Sequence, residues 1–111
     1  MQDILDHVGF PVRDYAASLA FYTAVLAPLG ITLMKEYKFS DDGAEGYAGF
    51  GRTRPQFWIG TGEQIKGRLH VAFVAKRAEF RAAVHVVHRD HARTARFPTA
   101  DRELAAIGGK R

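Results

Sequence analysis

The sequence contains no cysteine among its 111 residues. Disulfide bonds, thiolate nucleophiles and cysteine-ligated metals are therefore excluded, and a cytoplasmic location is expected, because disulfide-bonded proteins belong to oxidising compartments. No apolar run approaches the about 18 residues that a membrane-spanning helix needs, and the N-terminus lacks a basic segment followed by an apolar run. We therefore expect neither a membrane span nor a secretory signal.

Length and composition are those of one small domain. A hydrophobic content of 47% and a charged content of 25% are ordinary for a globular protein. The net charge of +4 comes from the last third of the chain. Residues 1–75 contain seven basic and eight acidic residues, whereas residues 76–111 contain nine basic and four acidic residues. Such a basic tail can attract polyanions. Residues 84–111 contain only one aromatic, Phe97, and no nucleic-acid-reading motif, so we expect no specific nucleic-acid binding.

The pattern His-Val-x-Phe occurs twice, beginning at His7 and at His70. Side chains alternate along a strand, so Val8 and Phe10 lie on one face and His7 on the other, and the second copy alternates in the same phase. Each copy is followed by a basic residue and an alanine-rich segment with helical spacing. This recurrence predicts two copies of one module, with both histidines directed at a shared cleft.

Residues 4–62 predict the order strand, helix, strand, strand, strand. The strands are predicted over residues 4–12, 31–39, 47–51 and 56–60. The helix begins after Asp14, a good N-cap residue, and ends at Pro28 and Gly30. Its apolar stripe consists of Leu19, Tyr22, Val25, Leu26 and Leu29. Residues 40–43 (Ser-Asp-Asp-Gly) predict a turn.

A second unit starts with a predicted strand over residues 67–75 but does not continue in the same way. After Phe80 the expected helix meets an Arg- and His-rich segment, and no segment after residue 96 alternates like a strand. We therefore predict that the three remaining strands are absent, as in a truncated or frame-altered chain. The triplet His85, His88 and His91 is interpreted as part of a solvated helix rather than as a metal site.

Five stretches of this chain resemble the vicinal oxygen chelate superfamily, which includes glyoxalase I, bleomycin-resistance proteins and extradiol dioxygenases. They are residues 5–8 (Leu-Asp-His-Val), 15–22 (Tyr-Ala-Ala-Ser-Leu-Ala-Phe-Tyr), 28–30 (Pro-Leu-Gly), 57–60 (Phe-Trp-Ile-Gly) and 69–73 (Leu-His-Val-Ala-Phe). The resemblance covers residues 4–76 and is absent over residues 84–101. It implies an α+β fold in one domain over residues 1–111: a complete βαβββ module over residues 4–62, then an incomplete second module with a basic tail over residues 67–111. Members of the family pair two such modules into an open, cup-shaped sheet.

The resemblance also implies a divalent metal such as Zn, Ni, Fe or Mn, since His7 and His70 match the family's first-strand ligand positions. The carboxylate ligands of the family have no counterpart, because residues 57–60 contain no acid, Glu63 lies after the end of the strand predicted over residues 56–60, and the last strand of the second module is predicted to be absent. Two imidazoles alone leave a divalent ion short of the three or four protein ligands that such sites use.

Aromatic residues lie on adjacent predicted strands and have two interpretations: packing against the helix, or a surface for a flat organic ligand. They are Tyr47, Phe50, Phe57 and Trp58. Alternation places Phe57 and Trp58 on opposite faces, so only one of them can line the cup. We take Tyr47, Trp58 and Arg68 as candidate substrate-binding residues, because Arg68 shares a strand face with His70. A solvated surface role is expected for Arg13, Arg52 and Arg54.

The resemblance implies a metal-dependent enzyme acting on a small molecule, similar to a lactoylglutathione lyase, an isomerase or a dioxygenase. The alternatives are a non-catalytic protein that sequesters a small aromatic drug, as bleomycin-resistance proteins do, and an inactive truncated member. Because a lone sheet with an open edge is prone to association, we expect either a homodimer that completes the cup or partial disorder after about residue 84.

Overall fold

The computed structural model describes residues 4–63, 65–74, 83–89, 92–97 and 102–105. The chain divides into two compact units, Met1–Gln64 and Ile65–Arg111. None of the described helices is long and apolar enough to cross a membrane.

The first unit has the predicted order of one helix and four strands. Its elements are β1 (Val8–Val12), α1 (Tyr15–Leu26), a 3₁₀ turn (Ala27–Leu29), β2 (Thr32–Lys38), β3 (Gly46–Gly51) and β4 (Pro55–Thr61). The sheet order is β1-β4-β3-β2. The first and last strands pair in parallel, and the other pairs are antiparallel. This arrangement is the βαβββ module, so the predicted α+β class is confirmed.

The ends of α1 follow from local chemistry. The Asp14 carboxylate accepts a hydrogen bond from the Ala17 backbone N–H at 3.1 Å, which caps the first turn. At the other end Gly30 adopts a left-handed conformation, with φ of 75°, and donates its N–H to the Ala27 carbonyl. The predicted helix start is confirmed; α1 itself ends at Leu26, and the predicted end at Gly30 is that of the 3₁₀ turn that continues it. β1 is shorter than the predicted strand because its register with β4 begins at Val8, opposite Phe57.

The core of the first unit lies between α1 and one face of the sheet. Tyr22 of α1 is completely buried, and its ring contacts the rings of Phe50 and Phe57, at centroid distances of 6.3 and 4.9 Å. The other buried apolar residues are Phe10, Val12, Tyr15, Phe21, Val25, Leu26, Leu29, Ile31, Ala48 and Ile59. Aromatic rings thus dominate the layer between helix and sheet, where each buried ring removes a large apolar area from water.

The second unit consists of four described strands joined as an antiparallel meander. They are β5 (Arg68–Val74), β6 (Ala83–Arg89), β7 (Ala92–Phe97) and β8 (Arg102–Ala105), in the sheet order β5-β6-β7-β8. The prediction that three strands are absent after β5 is therefore wrong. The valine-rich segment at the start of β6 carries the β-branched content that favours an extended chain, a signal that the expected helical spacing concealed.

The histidine triplet is also placed differently from its prediction. His85 and His88 lie on β6, where they pair with Ala72 and Leu69 of β5. These two histidines therefore belong to a strand and not to a helix. His91, and the helix expected just after β5, lie outside the described residues. In the described part of this unit, β5 pairs antiparallel with the next strand, unlike the parallel pairing of β1 with β4. The described part of the second unit therefore has as many strands as the first but pairs them differently, which is compatible with an incomplete second module.

Candidate functional site

One face of the first sheet is covered by α1, and the opposite face carries aromatic side chains. The register places Tyr37 of β2 opposite Tyr47 of β3, and Gly49 of β3 opposite Trp58 of β4. Phe39 follows directly after β2, and its ring contacts that of Tyr47 at 4.9 Å. We call these four residues, Tyr37, Phe39, Tyr47 and Trp58, the aromatic platform.

Two rings of the platform lie against glycines of the neighbouring strand. A Cβ atom at Gly49 would lie 2.8 Å from three atoms of the six-membered ring of Trp58. A Cβ atom at Gly60 would lie 2.7 Å from Cδ1 of Tyr47. Real Cβ atoms do not approach this closely, so only glycine permits these ring positions. Rings laid over glycine on the adjacent strand are a known way to stabilise a sheet.

The platform is half exposed rather than buried. Tyr37 and Tyr47 retain 52% and 50% of their accessible surface, and Trp58 is intermediate. The rings of Tyr37 and Trp58 are nearly parallel, with an interplanar angle of 14° and a centroid distance of 6.5 Å. Exposed hydrophobic residues normally occur singly on a protein surface. Several large aromatic rings in one exposed patch are therefore typical of a binding surface.

The helix side of the sheet supports the platform through Tyr15. Its hydroxyl lies 3.0 Å from the Glu36 carboxylate and 3.2 Å from the Tyr47 backbone carbonyl, and it donates to these acceptors. Burial raises the pKa of the Tyr15 hydroxyl, and the hydrogen bond to Glu36 raises it further, so the group stays protonated as a donor. This contact ties α1 to β2 and β3 directly below two residues of the platform.

The structure divides the predicted aromatic cluster into two pairs. Tyr47 and Trp58 lie together on the open face, whereas Phe50 and Phe57 are buried against α1. Sequence reasoning missed Tyr37 and Phe39. The signal that identifies Tyr37 is the Ser-Asp-Asp-Gly turn, because a hairpin across it pairs the end of β2 with the start of β3.

His7 lies just before β1, and its ring is held by a neighbouring carboxylate. Nδ1 of His7 is 2.7 Å from Oδ2 of Asp6, and Nη1 of Arg54 is 3.2 Å from Oδ1 of Asp6. The hydrogen bond from His7, followed by the charge of Arg54, holds the pKa of Asp6 below its usual value. An ionised Asp6 only accepts, so Nδ1 donates and Nε2 of a neutral His7 keeps its lone pair. This is the orientation found in histidines that ligate metals.

The arginines have structural partners that the sequence did not reveal. Both Nε and Nη2 of Arg52 donate to the Leu29 carbonyl, at 3.1 and 3.0 Å. Arg54 also donates to the Asp6 carbonyl at 2.9 Å. The expectation of a solvated surface role is therefore wrong for the half-buried Arg52, whereas Arg54 is exposed, as expected, and also contacts Asp6. Arg68 lies at an exposed position of β5 in the second unit, and its substrate-binding role stays a prediction.

The described donor atoms do not form a chelating site. His7 belongs to the first unit and His70 to the second, where it is exposed on the same face of β5 as Arg68. Within the described part of the chain, no three His, Asp or Glu side chains come close enough to hold a metal ion. The donor set therefore does not fit the metal that the family resemblance implies. Metal ligation by His7 and His70 stays a prediction.

Comparison with protein families gives a match over nearly the whole chain. The model of the Glyoxalase/Bleomycin resistance protein/Dioxygenase superfamily matches residues 4–106. The match continues through residues 84–101, so the expectation that the resemblance is absent there is wrong. A comparison with curated proteins gives no match.

Proposed function

Since the chain belongs to the Glyoxalase/Bleomycin resistance protein/Dioxygenase superfamily, we propose that it binds a flat organic molecule on the aromatic platform and sequesters it without chemical conversion. The observation that supports this proposal is the pair of rings, Trp58 and Tyr47, that lie on glycines of the neighbouring strand, with Tyr47 half exposed and Trp58 partly exposed. They offer a planar apolar surface without a chelating site among the described residues.

The platform is favourable for stacking because contacts within the chain hold its rings in place. Trp58 rests on Gly49, and Tyr47 contacts both Gly60 and Phe39, so these side chains lose little further freedom on binding. An aromatic contact adds about 0.5–1.5 kcal/mol beyond the area that it buries. A ligand that covers two rings therefore gains affinity from shape alone, which suits a protein that holds a compound rather than converting it.

The platform can be tested by fluorescence, because Trp58 is the only tryptophan of the chain. Planar aromatic compounds are expected to quench its emission in a saturable way. Replacing Tyr37 by alanine removes the ring parallel to Trp58, and we expect about a three- to tenfold weaker binding, the loss of one aromatic contact. Fluorescence titration of Tyr37→Ala against the unchanged protein gives both dissociation constants.

The matched control is Leu33→Ala. Leu33 lies on the same strand, but its register opposite Phe50 puts it on the helix side of the sheet. This variant is expected to bind planar compounds as the unchanged protein does. Equal affinity in Tyr37→Ala, or no saturable quenching by any planar compound, would contradict sequestration on the platform.

A second candidate is a metal-dependent reaction, favoured by the orientation of His7 on Asp6. It requires further donors from a partner chain or from segments outside the described residues, and a homodimer is one source of them. Metal content of the untagged protein, measured beside a His7→Ala, His70→Ala double variant, separates the candidates. Sequestration predicts no stoichiometric metal in either protein. About one divalent ion per chain or per dimer, lost in the double variant, would favour the metal-dependent reaction.

A further inference from the structure

We infer that the platform selects planar aromatic molecules that carry a negative charge, such as aromatic carboxylates, and that Lys35 is the residue that selects them. This inference rests on the proposed function, because it specifies which ligands the platform prefers. It adds a charge requirement to a surface that stacking alone would leave unselective.

The register places Lys35 beside the tryptophan. Lys35 of β2 pairs with Gly49 of β3, the glycine on which the Trp58 ring lies. The next residue, Glu36, points to the helix side, where it accepts the hydrogen bond from Tyr15. Alternation therefore puts Lys35 and Tyr37 together on the platform face, one before and one after Glu36.

The charge of Lys35 is not neutralised by the described part of the chain. Lys35 is exposed and makes no hydrogen bond or ion pair with any described residue. Glu36 is the only carboxylate in the four strands of the first unit, and it lies on the opposite face. A ligand stacked on Trp58 thus meets one cation and no strand carboxylate. An anion is favoured there, and an organic cation is disfavoured by repulsion.

The aromatic rings of the platform suit the ring of an aromatic acid, and the Lys35 ammonium group suits its carboxylate. The planar ring covers Trp58, and the carboxylate reaches the ammonium group at the edge of the platform. The pair stays accessible to water, so its contribution is modest, about fivefold in affinity at most. Salt weakens an exposed pair of this kind, so the preference for the anion is expected to shrink as ionic strength rises.

The experiment compares 2-naphthoate with its neutral isostere 2-naphthamide by isothermal titration calorimetry. The full chain is expected to bind the acid about fivefold more tightly than the amide at low salt. In Lys35→Met this difference is expected to vanish, with the amide bound as before. Lys38→Met is the matched control, because it removes the same charge from the same strand on the opposite face, opposite Gly46. It is expected to keep the preference for the acid.

The outcomes separate this inference from the proposed function. Equal binding of acid and amide by the unchanged protein, or the same loss in Lys38→Met as in Lys35→Met, overturns the role of Lys35 and leaves the platform in place. Failure of both probes to bind overturns the proposed function together with this inference. A dimer that Trp58→Ala converts to a monomer, with no probe bound, would identify the platform as an interface between copies and would overturn both.

Discussion

Replacing Phe50 by alanine is expected to lower the free energy of unfolding of the first unit by about 3–5 kcal/mol. Phe50 is completely buried on β3, and its ring contacts those of Tyr22 and Phe57, at 6.3 and 6.1 Å. Truncation removes the central ring of the layer between α1 and the sheet. The rings around it are held by their own strands and helix, so the resulting cavity cannot close completely.

Urea unfolding followed by Trp58 emission measures this loss, because Trp58 belongs to the first unit. The control is Tyr47→Ala, an aromatic truncation three residues earlier on the same strand but on the open face. Its ring is half exposed, so we expect a loss of about 1 kcal/mol, with weaker binding of planar ligands. Similar losses of stability in the two variants would mean that the faces of β3 are assigned wrongly. A non-cooperative transition in the unchanged protein would favour the inactive truncated product.

Replacing Gly51 by alanine is expected to destabilise the first unit by about 3 kcal/mol, at the upper end for an overpacked site. The added methyl group would collide with the backbone carbonyl of Arg54, and Sδ of Met34 lies 3.2 Å from the same position. Gly51 pairs with Pro55 across the short connection between β3 and β4, so the carbonyl cannot move without breaking this pairing. Urea unfolding again provides the measurement.

The contrast is Gly49→Ala, two residues earlier on the same strand. There the added methyl group meets the Trp58 ring and not the backbone, and a partly exposed side chain can shift more easily than a paired carbonyl. We expect a smaller loss of stability, of about 1 kcal/mol, together with a shifted Trp58 emission and weak binding of planar ligands. If Gly49→Ala costs as much as Gly51→Ala, Trp58 is a packing residue and not a partly exposed ring of the platform.

The metal prediction and the platform lead to different kinds of protein within one family. The family match shows membership, and the two functions differ in the residues that they require. His7, oriented by Asp6, is the candidate metal ligand of the first unit, but β4 contains no carboxylate that could join it. The same strand provides Trp58 of the platform and Gly60, against which the Tyr47 ring lies. β4 is thus better suited to stacking than to chelation.

Local patterns in the sequence determined the βαβββ order, the start of α1 and the placement of Phe57 and Trp58 on opposite faces of the sheet. Each depends on neighbours a few positions apart, through capping by Asp14 or the two-residue period of a strand. The family resemblance similarly depended on short motifs around His7 and His70.

Only the tertiary structure decided which residues from distant strands meet. The hairpin register brings Tyr37 to Tyr47 and Lys35 to Gly49, and the ring positions of Trp58 and Tyr47 require glycines on the adjacent strand. Asp6 meets Arg54 across 48 positions, and β6 forms by pairing with β5 where helical spacing was expected. These contacts join residues that are far apart in the chain. The alternation within one strand shows which face a residue lies on, but it does not show which residue of another segment it meets.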